Sequence, residues 1–299
     1  MSSKAFTVLS MGDLLLDVTI RYDPLSGETD TGPDGLLIGP GGSAANFAVH
    51  AARLGCQTRF VSRVGRDWAG EMLVRSLEGE GVTAQVRATD EATGRVLVMV
   101  DPQGNRRMHS YPGASQTLHQ DDLDPEWFHN LDAFHLTGYS LLREGPCAAA
   151  LEALRLARTL GVPFCTLDPN PGHLISSYGP ADYWRLLYEL QFDALFPNLE
   201  EGALLTGKVG HEEIASGLLD LSPVVALTLG DKGCMVAQRS GSLAHVSAYS
   251  RNGVGDDTGA GDAFAAGFVV EYLSSRDPVQ AARAGNRVAA QVVSRIGAR

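Results

Sequence analysis

The chain has 299 residues, 44% of them apolar and 20% charged, enough to enclose a large core and bury roughly three quarters of its unfolded surface. Its 24 basic residues stand against 35 acidic ones, a formal net charge of -11. No basic run of the kind that neutralises phosphates along a duplex occurs, so nucleic acid is not an expected partner. An anionic small molecule stays open, because one pocket can be positive inside an acidic protein.

Cys56, Cys147, Cys165 and Cys234 are far apart and form no Cys-x-x-Cys pair. That excludes zinc ribbons and redox motifs and leaves four small buried hydrophobes. No apolar run approaches the roughly 18 residues of a membrane span, and the opening MSSKAFTVLS lacks the layout of a signal peptide. A cytoplasmic enzyme or binding protein without a membrane partner is expected.

In chain order, apolar runs of strand length at 5–11, 58–64, 133–136, 162–167, 194–196 and 224–229 alternate with Ala- and Leu-rich stretches of helix length. That alternation predicts an α/β fold with a mostly parallel sheet covered by helices. Residues 146–160 repeat Ala and Leu at helical spacing and stop at Gly161, and Asp277-Pro278 opens the last helix as a cap with a first-turn proline. A hairpin is predicted from Cys234–Gln238 with 243–248, turned at Ser240-Gly-Ser. Two stretches break the alternation. Residues 14–22 with 35–39, and 95–101 with 106–111, read as strand pairs with no helix between them. They predict a small sheet standing off the main one, either edge decoration or a lid, inserted at about 14–39 and 94–112 in a single domain spanning 1–299.

Four motifs could carry chemistry. In Asp256-Asp257-Thr258-Gly259-Ala260-Gly261-Asp262, consecutive amides at the start of an apolar helix point at one spot and the helix dipole adds positive charge there, which makes an anion hole. Asp262 in the first turn stands close enough to take a proton from a hydroxyl held at that spot, or else caps its own helix. In Gly39-Pro-Gly41-Gly42-Ser43-Ala-Ala-Asn46, the glycines admit a ligand to the backbone and Asn46 offers donor and acceptor to the hydroxyls of a polyol. Tight packing of an Ala-rich helix explains the same residues. In Pro197-Asn198-Leu-Glu-Glu201, Asn198 and Glu201 share a helix face and could orient magnesium through its waters, or cap the helix. Thr228-Leu-Gly230-Asp-Lys-Gly233 could approach a nucleotide's phosphates or ribose. No G-x-x-x-x-G-K-[ST], no G-x-G-x-x-G after the first strand, no G-x-S-x-G and no H-E-x-x-H occurs, so P-loop, dinucleotide, hydrolase and metalloprotease readings fall away. His211-Glu-Glu reads as a solvated helix start.

These four motifs, in this order and at these separations, resemble the ribokinase-like (PfkB) carbohydrate kinases from about Ser10 to Gly297. The resemblance implies a three-layer α/β sandwich with a central mostly parallel sheet and a small β lid. It also implies ATP as donor, Mg2+, and transfer of the γ-phosphate to a hydroxymethyl group of a sugar or sugar acid. Position by position, it makes Asp262 the general base and the amides of Gly259, Ala260 and Gly261 the hole for developing charge. Asp17, with Gly41, Gly42 and Asn46, would bind sugar hydroxyls. Asn198 and Glu201 would serve magnesium and phosphate positioning, Thr228, Gly230 and Gly233 would line the nucleotide site, and Asn286 would lie near adenine. Asp256 and the Thr258 carbonyl match positions that hold a monovalent cation such as K+. Many relatives pair through their lids, so a homodimer is expected.

The chain also departs from the pattern. Ribokinases proper carry Lys where Ser43 stands and Asn where Leu15 stands, which argues against ribose. Thr166-Leu-Asp168-Pro-Asn170 resembles fructokinase-like and ketodeoxygluconate-kinase-like members. Arg106 and Arg107 could meet an acidic or phosphorylated substrate from the lid, or serve only as exposed lid charges. A nucleoside kinase and a non-catalytic sensor are the alternatives. The former needs aromatic stacking surfaces, for which the lid region offers chiefly Tyr22, Tyr111 and Tyr139, and the latter has no need of a base.

Overall fold

A computed structural model describes residues 5–293, excepting 24, 25, 28, 30, 31, 33, 34, 104, 105 and 250–256. Its strands are β1 Thr7–Met11, β2 Leu15–Arg21, β3 Leu36–Gly41, β4 Gln57–Gly65, β5 Val82–Thr89, β6 Gly94–Val100, β7 Arg106–Tyr111, β8 Ala133–Thr137, β9 Cys165–Asp168, β10 Ala194–Leu195, β11 Val224–Thr228, β12 Cys234–Gln238 and β13 Leu243–Val246. The helices are α1 Ser43–Arg53, α2 Trp68–Gly79, α3 Gly138–Leu141, α4 Glu144–Thr159, α5 Gly172–Tyr178, α6 Pro180–Leu190, α7 Leu199–Thr206, α8 His211–Gly217, α9 Ala260–Ser275 and α10 Pro278–Val293.

Nine strands form the main sheet in the order β13-β12-β11-β10-β9-β8-β1-β4-β5. Neighbours from β11 to β5 run parallel, and the β12–β13 hairpin closes one edge antiparallel. Parallel sheets need cover on both faces, and β1, buried throughout, shows how the sequence meets that need. Leu9 and Met11 point into a core shared with Ala150, Ala153, Ile175, Leu187 and Leu205, while Val8 points to the other side, against Phe47, Phe264 and Phe268. Helices α4 to α8 therefore cover one face and α1, α2, α9 and α10 the other. Each fully buried phenylalanine contributes about 1.5–3 kcal/mol, and α9 places Phe264 and Phe268 between the sheet and α10. The last helix begins as its sequence predicts, with Asp277 Oδ1 accepting from the Val279 N–H at 2.8 Å. Strand β9 starts at Cys165 rather than at 162, because Pro163 has no N–H to give a ladder. Strand β5 was not expected: its polar, half-exposed residues suit an edge and hide it from a search for apolar runs.

The predicted strand pairs form one four-stranded sheet, β3-β2-β6-β7. Each hairpin is antiparallel, and the two are joined by parallel pairing of β2 with β6. Alternation gives this lid two unlike faces. Asp17, Val96 and Ser110 stand in one row across it and line a cavity beneath. Ile38, Val18, Leu97 and His109 form the adjacent row on the opposite face, where Leu36 and Ile38 are more than half exposed.

Candidate active site

Between the lid and the main sheet lies a cavity of about 460 Å³. Its walls come from the chain just beyond the C-terminal ends of β1, β8, β9, β10 and β11, where parallel α/β sheets place their ligands. Asp13 follows β1, Tyr139 and Arg143 follow β8, Asp168 and Asn170 mark the end of β9, Phe196 and Asn198 follow β10, and Thr228 ends β11. Two helix N-termini close the floor: Gly42, Ser43 and Asn46 from α1, and Thr258, Gly259, Gly261 and Asp262 from α9. Convergent N-termini concentrate free N–H groups and positive partial charge, which suits an anion.

Asp262 sits where the two helices meet. Its Oδ1 accepts from the Ser43 hydroxyl at 2.5 Å and its Oδ2 from Asn46 Nδ2 at 2.8 Å. Asn170 Nδ2 donates to Ser43 Oγ at 3.3 Å, so the single Ser43 proton is directed at Asp262. Both partners are donors, which a carboxylate acting as a base can accept from. Gly42 makes this approach possible. Its φ of 103° is open to glycine, and a Cβ there would lie 2.1 Å from the Asp13 carbonyl oxygen. Gly41 backs onto the lid in the same manner, since a Cβ would come within 2.2 Å of the Asp17 carboxylate.

The acids around the cavity differ in how they are held. Burial pushes the Asp168 carboxyl well above the ordinary carboxylate range, and the like charges of Glu201 and Asp262 add to the rise. Burial also pushes Glu201 up to about 7, against the lowering effect of the Asn198 N–H. That N–H donates to Glu201 Oε2 at 2.9 Å, Asn198 Nδ2 donates to Oε1 at 2.8 Å, and the Glu201 N–H returns a bond to Asn198 Oδ1 at 2.9 Å. Asn198 and Glu201 thus form a capping box and face the cavity at once. Asp13 is raised by burial despite Arg143, whose Nη1 donates to Asp13 Oδ2 at 2.6 Å while its guanidinium lies over the Tyr139 ring at 4.9 Å. Buried acids raised in this way are a donor set that a hard cation would relieve. Among the described residues no three acids or histidines converge on one point, so Asn198 and Glu201 could hold Mg2+ only as part of a set completed by non-protein oxygens, which suits that ion.

The structure brings Asp17, Gly42, Asn46, Asn198, Glu201, Thr228, Thr258, Gly259, Gly261 and Asp262 to one cavity. The Ala260 N–H donates to the Asp257 carbonyl at 3.1 Å, which removes that amide from the expected hole and leaves it to Gly259 and Gly261. Gly230 and Gly233 lie in the turn after β11. Nothing stands within 4 Å of a Cβ built at Gly230, so that side of the turn is open to a ligand. Asn286 spends its amide on the Val246 and Ser247 carbonyls, each at 3.1 Å, holding α10 to the end of β13. Asp256 lies outside the described residues. Arg107 neighbours Met108, which lines the cavity, and so projects from the opposite face of the lid, while the side chain of Arg106 lies outside the described residues. Sequence reasoning missed Asp13 and Arg143 as site residues. The signal for Asp13 was a charge two residues after a wholly buried strand; Arg143, in a polar helix start, gave none.

A parallel sheet covered on both faces, a small lid and a carboxylate-lined cavity at two helix N-termini make up the ribokinase-like architecture. The chain belongs to the pfkB family of carbohydrate kinases, whose sequence profile matches residues 6–299, and is therefore an ATP-dependent phosphotransferase. It is 34% identical over 255 residues to a fructokinase of Escherichia coli, covering 80% of this chain and 79% of that one. It is 32% identical over 296 residues to an ATP-dependent ribose-1-phosphate kinase of Halopiger xanaduensis, covering 98% and 93%. The crystal structure of adenosine kinase from Sinorhizobium meliloti superimposes with a TM-score of 0.88 at 26% identity, covering 98% of this chain and 95% of that one.

Proposed function

We propose that this protein transfers the γ-phosphate of ATP to a hydroxyl, a hydroxymethyl by preference, of a sugar-class acceptor, with Asp262 as general base. The observation that carries this reading is the Asp262 carboxylate, fixed by Ser43 and Asn46 on the floor of the cavity under the lid. Asp17, Asn46 and Asn170 offer a polyol both donors and acceptors. The acceptor hydroxyl gives its proton to Asp262 as its oxygen attacks the γ-phosphorus, and the bond from that phosphorus to the oxygen of ADP breaks. The Gly259 and Gly261 amides oppose the charge that develops on the transferring group, a step that depends on positioning and electrostatics rather than covalent help. Mg2+ near Asn198 and Glu201 would supply neutralisation of phosphate charge. Closure of the lid excludes water and so limits hydrolysis of ATP. Thr228, Gly230 and Gly233 are assigned to the nucleotide.

Incubation with ATP, Mg2+ and a panel of sugars, sugar acids, sugar phosphates and nucleosides, with ADP and phosphorylated product measured together, tests the reading. ADP formation that never depends on an acceptor would refute it. A nucleoside acceptor is the second reading, supported by Tyr139 and Phe196 in the cavity wall and by the adenosine kinase likeness. A sensor is disfavoured because it has no use for a fixed base. K+ at Asp256 and the Thr258 carbonyl rests on the resemblance alone, and exchange of K+ for a bulky organic cation in the assay checks it. We take 1–299 as one unit with the lid inserted in it, working in the cytoplasm. No described helix is long and apolar enough to cross a membrane. Leu36 and Ile38, exposed on the outer face of the lid, support a homodimer through the lid. Light scattering should give twice the chain mass, and Ile38→Lys should halve it.

A further inference from the structure

Five carboxylates line the cavity, Asp13, Asp17, Asp168, Glu201 and Asp262, and among the described residues Arg143 is the one arginine or lysine that does. Its charge is already committed. The guanidinium meets Asp13 at 2.6 Å with both side chains about nine-tenths buried, and Tyr139 covers its face. A buried pair of this kind acts as a neutral unit, with donors left on the guanidinium but no net charge to offer. Arg95 and Arg107 of the lid do not change this balance, and the side chain of Arg106 lies outside the described residues. Arg95 stacks on Tyr111 at 5.2 Å on the same outer face as Arg107, away from the cavity. ATP brings further negative charge to the same space.

We propose that the acceptor is an uncharged polyol, a neutral sugar or the sugar of a nucleoside, and that Asp13 enforces this choice by neutralising Arg143. The inference rests on the kinase reading above and narrows it. An acceptor with its own carboxylate or phosphate would meet more carboxylates than cations, with His173 the one other basic side chain of the described lining, and an excess of like charge is how sites reject a wrong partner. A hydroxyl suffers no such penalty and can accept from the remaining N–H groups of Arg143. Asp13 and Arg143 are specificity residues in this scheme, and neither moves the transferred proton.

The test uses the full chain with ATP and Mg2+ and matched acceptors on several five- and six-carbon skeletons: the neutral sugar, its sugar acid and its phosphate monoester. The best acceptor should be neutral and exceed its acid and its phosphate in kcat/KM by at least about a hundredfold. Asp13→Asn, which keeps the side chain's shape and frees the arginine's charge, should narrow that ratio at least about tenfold. A best acceptor that is an acid or a phosphate overturns the inference, as does a ratio unchanged in Asp13→Asn. If that variant does not fold, Arg143→Gln serves instead. It should lower kcat/KM for the neutral acceptor at least about tenfold and leave the anionic ones no better than before, whereas a loss confined to anionic acceptors overturns the inference. Failure of every acceptor with the wild-type protein refutes the kinase reading itself, a result distinct from kinase activity that prefers an anion.

Discussion

Replacing Asp262 by asparagine isolates the chemistry from the architecture. The carboxylate accepts from Ser43 Oγ at 2.5 Å and from Asn46 Nδ2 at 2.8 Å. An asparagine of the same shape has one acceptor and one donor end. The acceptor end must face Asn46, which can only donate through Nδ2, and the donor end then meets Ser43, whose hydroxyl can turn to accept. Both bonds survive as neutral ones, each weaker by about 1 kcal/mol than a bond to a charged group. The loss is offset in part because the Asp262 charge, which helps push up the Asp168 carboxyl, is gone. Stability should therefore change by no more than about 1–2 kcal/mol. Removal of a general base should lower kcat by about 10²- to 10⁴-fold, equivalent to about 2.7–5.5 kcal/mol of barrier. ADP release at saturating acceptor, alongside a thermal melt, measures both effects. A cooperative melt near that of the wild type with kcat within tenfold of it would refute the role of Asp262.

Three further substitutions follow from the same geometry. Glu201 holds its proton in the folded protein up to about pH 7 against an ordinary 4.5, so folding favours its neutral form and the wild type loses stability as pH rises through that window. Relative to Glu201→Gln, which cannot titrate, the wild type should lose about 3 kcal/mol between pH 4.5 and 8 in denaturant unfolding without metal, and a constant difference between the two proteins would contradict this. Gly42→Ala must strain a φ of 103° and push a Cβ off the Asp13 carbonyl at 2.1 Å. Chirality and overpacking together should cost about 2–5 kcal/mol in the same assay, and a loss under about 1 kcal/mol would show that the loop relaxes freely. Ser43→Ala should reduce kcat about tenfold or more by removing a hydrogen bond to a charged base, with acceptor KM within about threefold of the wild type and activity restored by Ser43→Thr. A rise in KM alone would make Ser43 a substrate contact instead.

Short-range pattern carried much of the fold. The buried run of β1, the Ala/Leu period of α4 and the turn between β12 and β13 each declare themselves within about fifteen residues, because strand and helix periods are local. The lid hairpins were legible for the same reason. Their union in one small sheet was expected, but the order and register of that union were not legible, since the parallel pairing of Asp17 with Val96 joins strands far apart in sequence. Asn286 shows the opposite failure. Its place in the last helix was readable, but its use on the Val246 and Ser247 carbonyls depends on how α10 packs against the end of β13.

Taken alone, then, the amino-acid order determined the alternation of strands and helices, the two glycine-rich helix starts and the presence of Asp262 at one of them, since backbone preference and hydrophobic period act between near neighbours. Only the folded chain decided what surrounds that carboxylate. Ser43 looked like a mere departure from a lysine, yet it donates to Asp262 from 219 positions away, and Asp13 reaches Arg143 across 130. Contacts of that kind form because the strands stack their C-terminal ends side by side, and charge pairing between such ends leaves no local trace in composition or spacing.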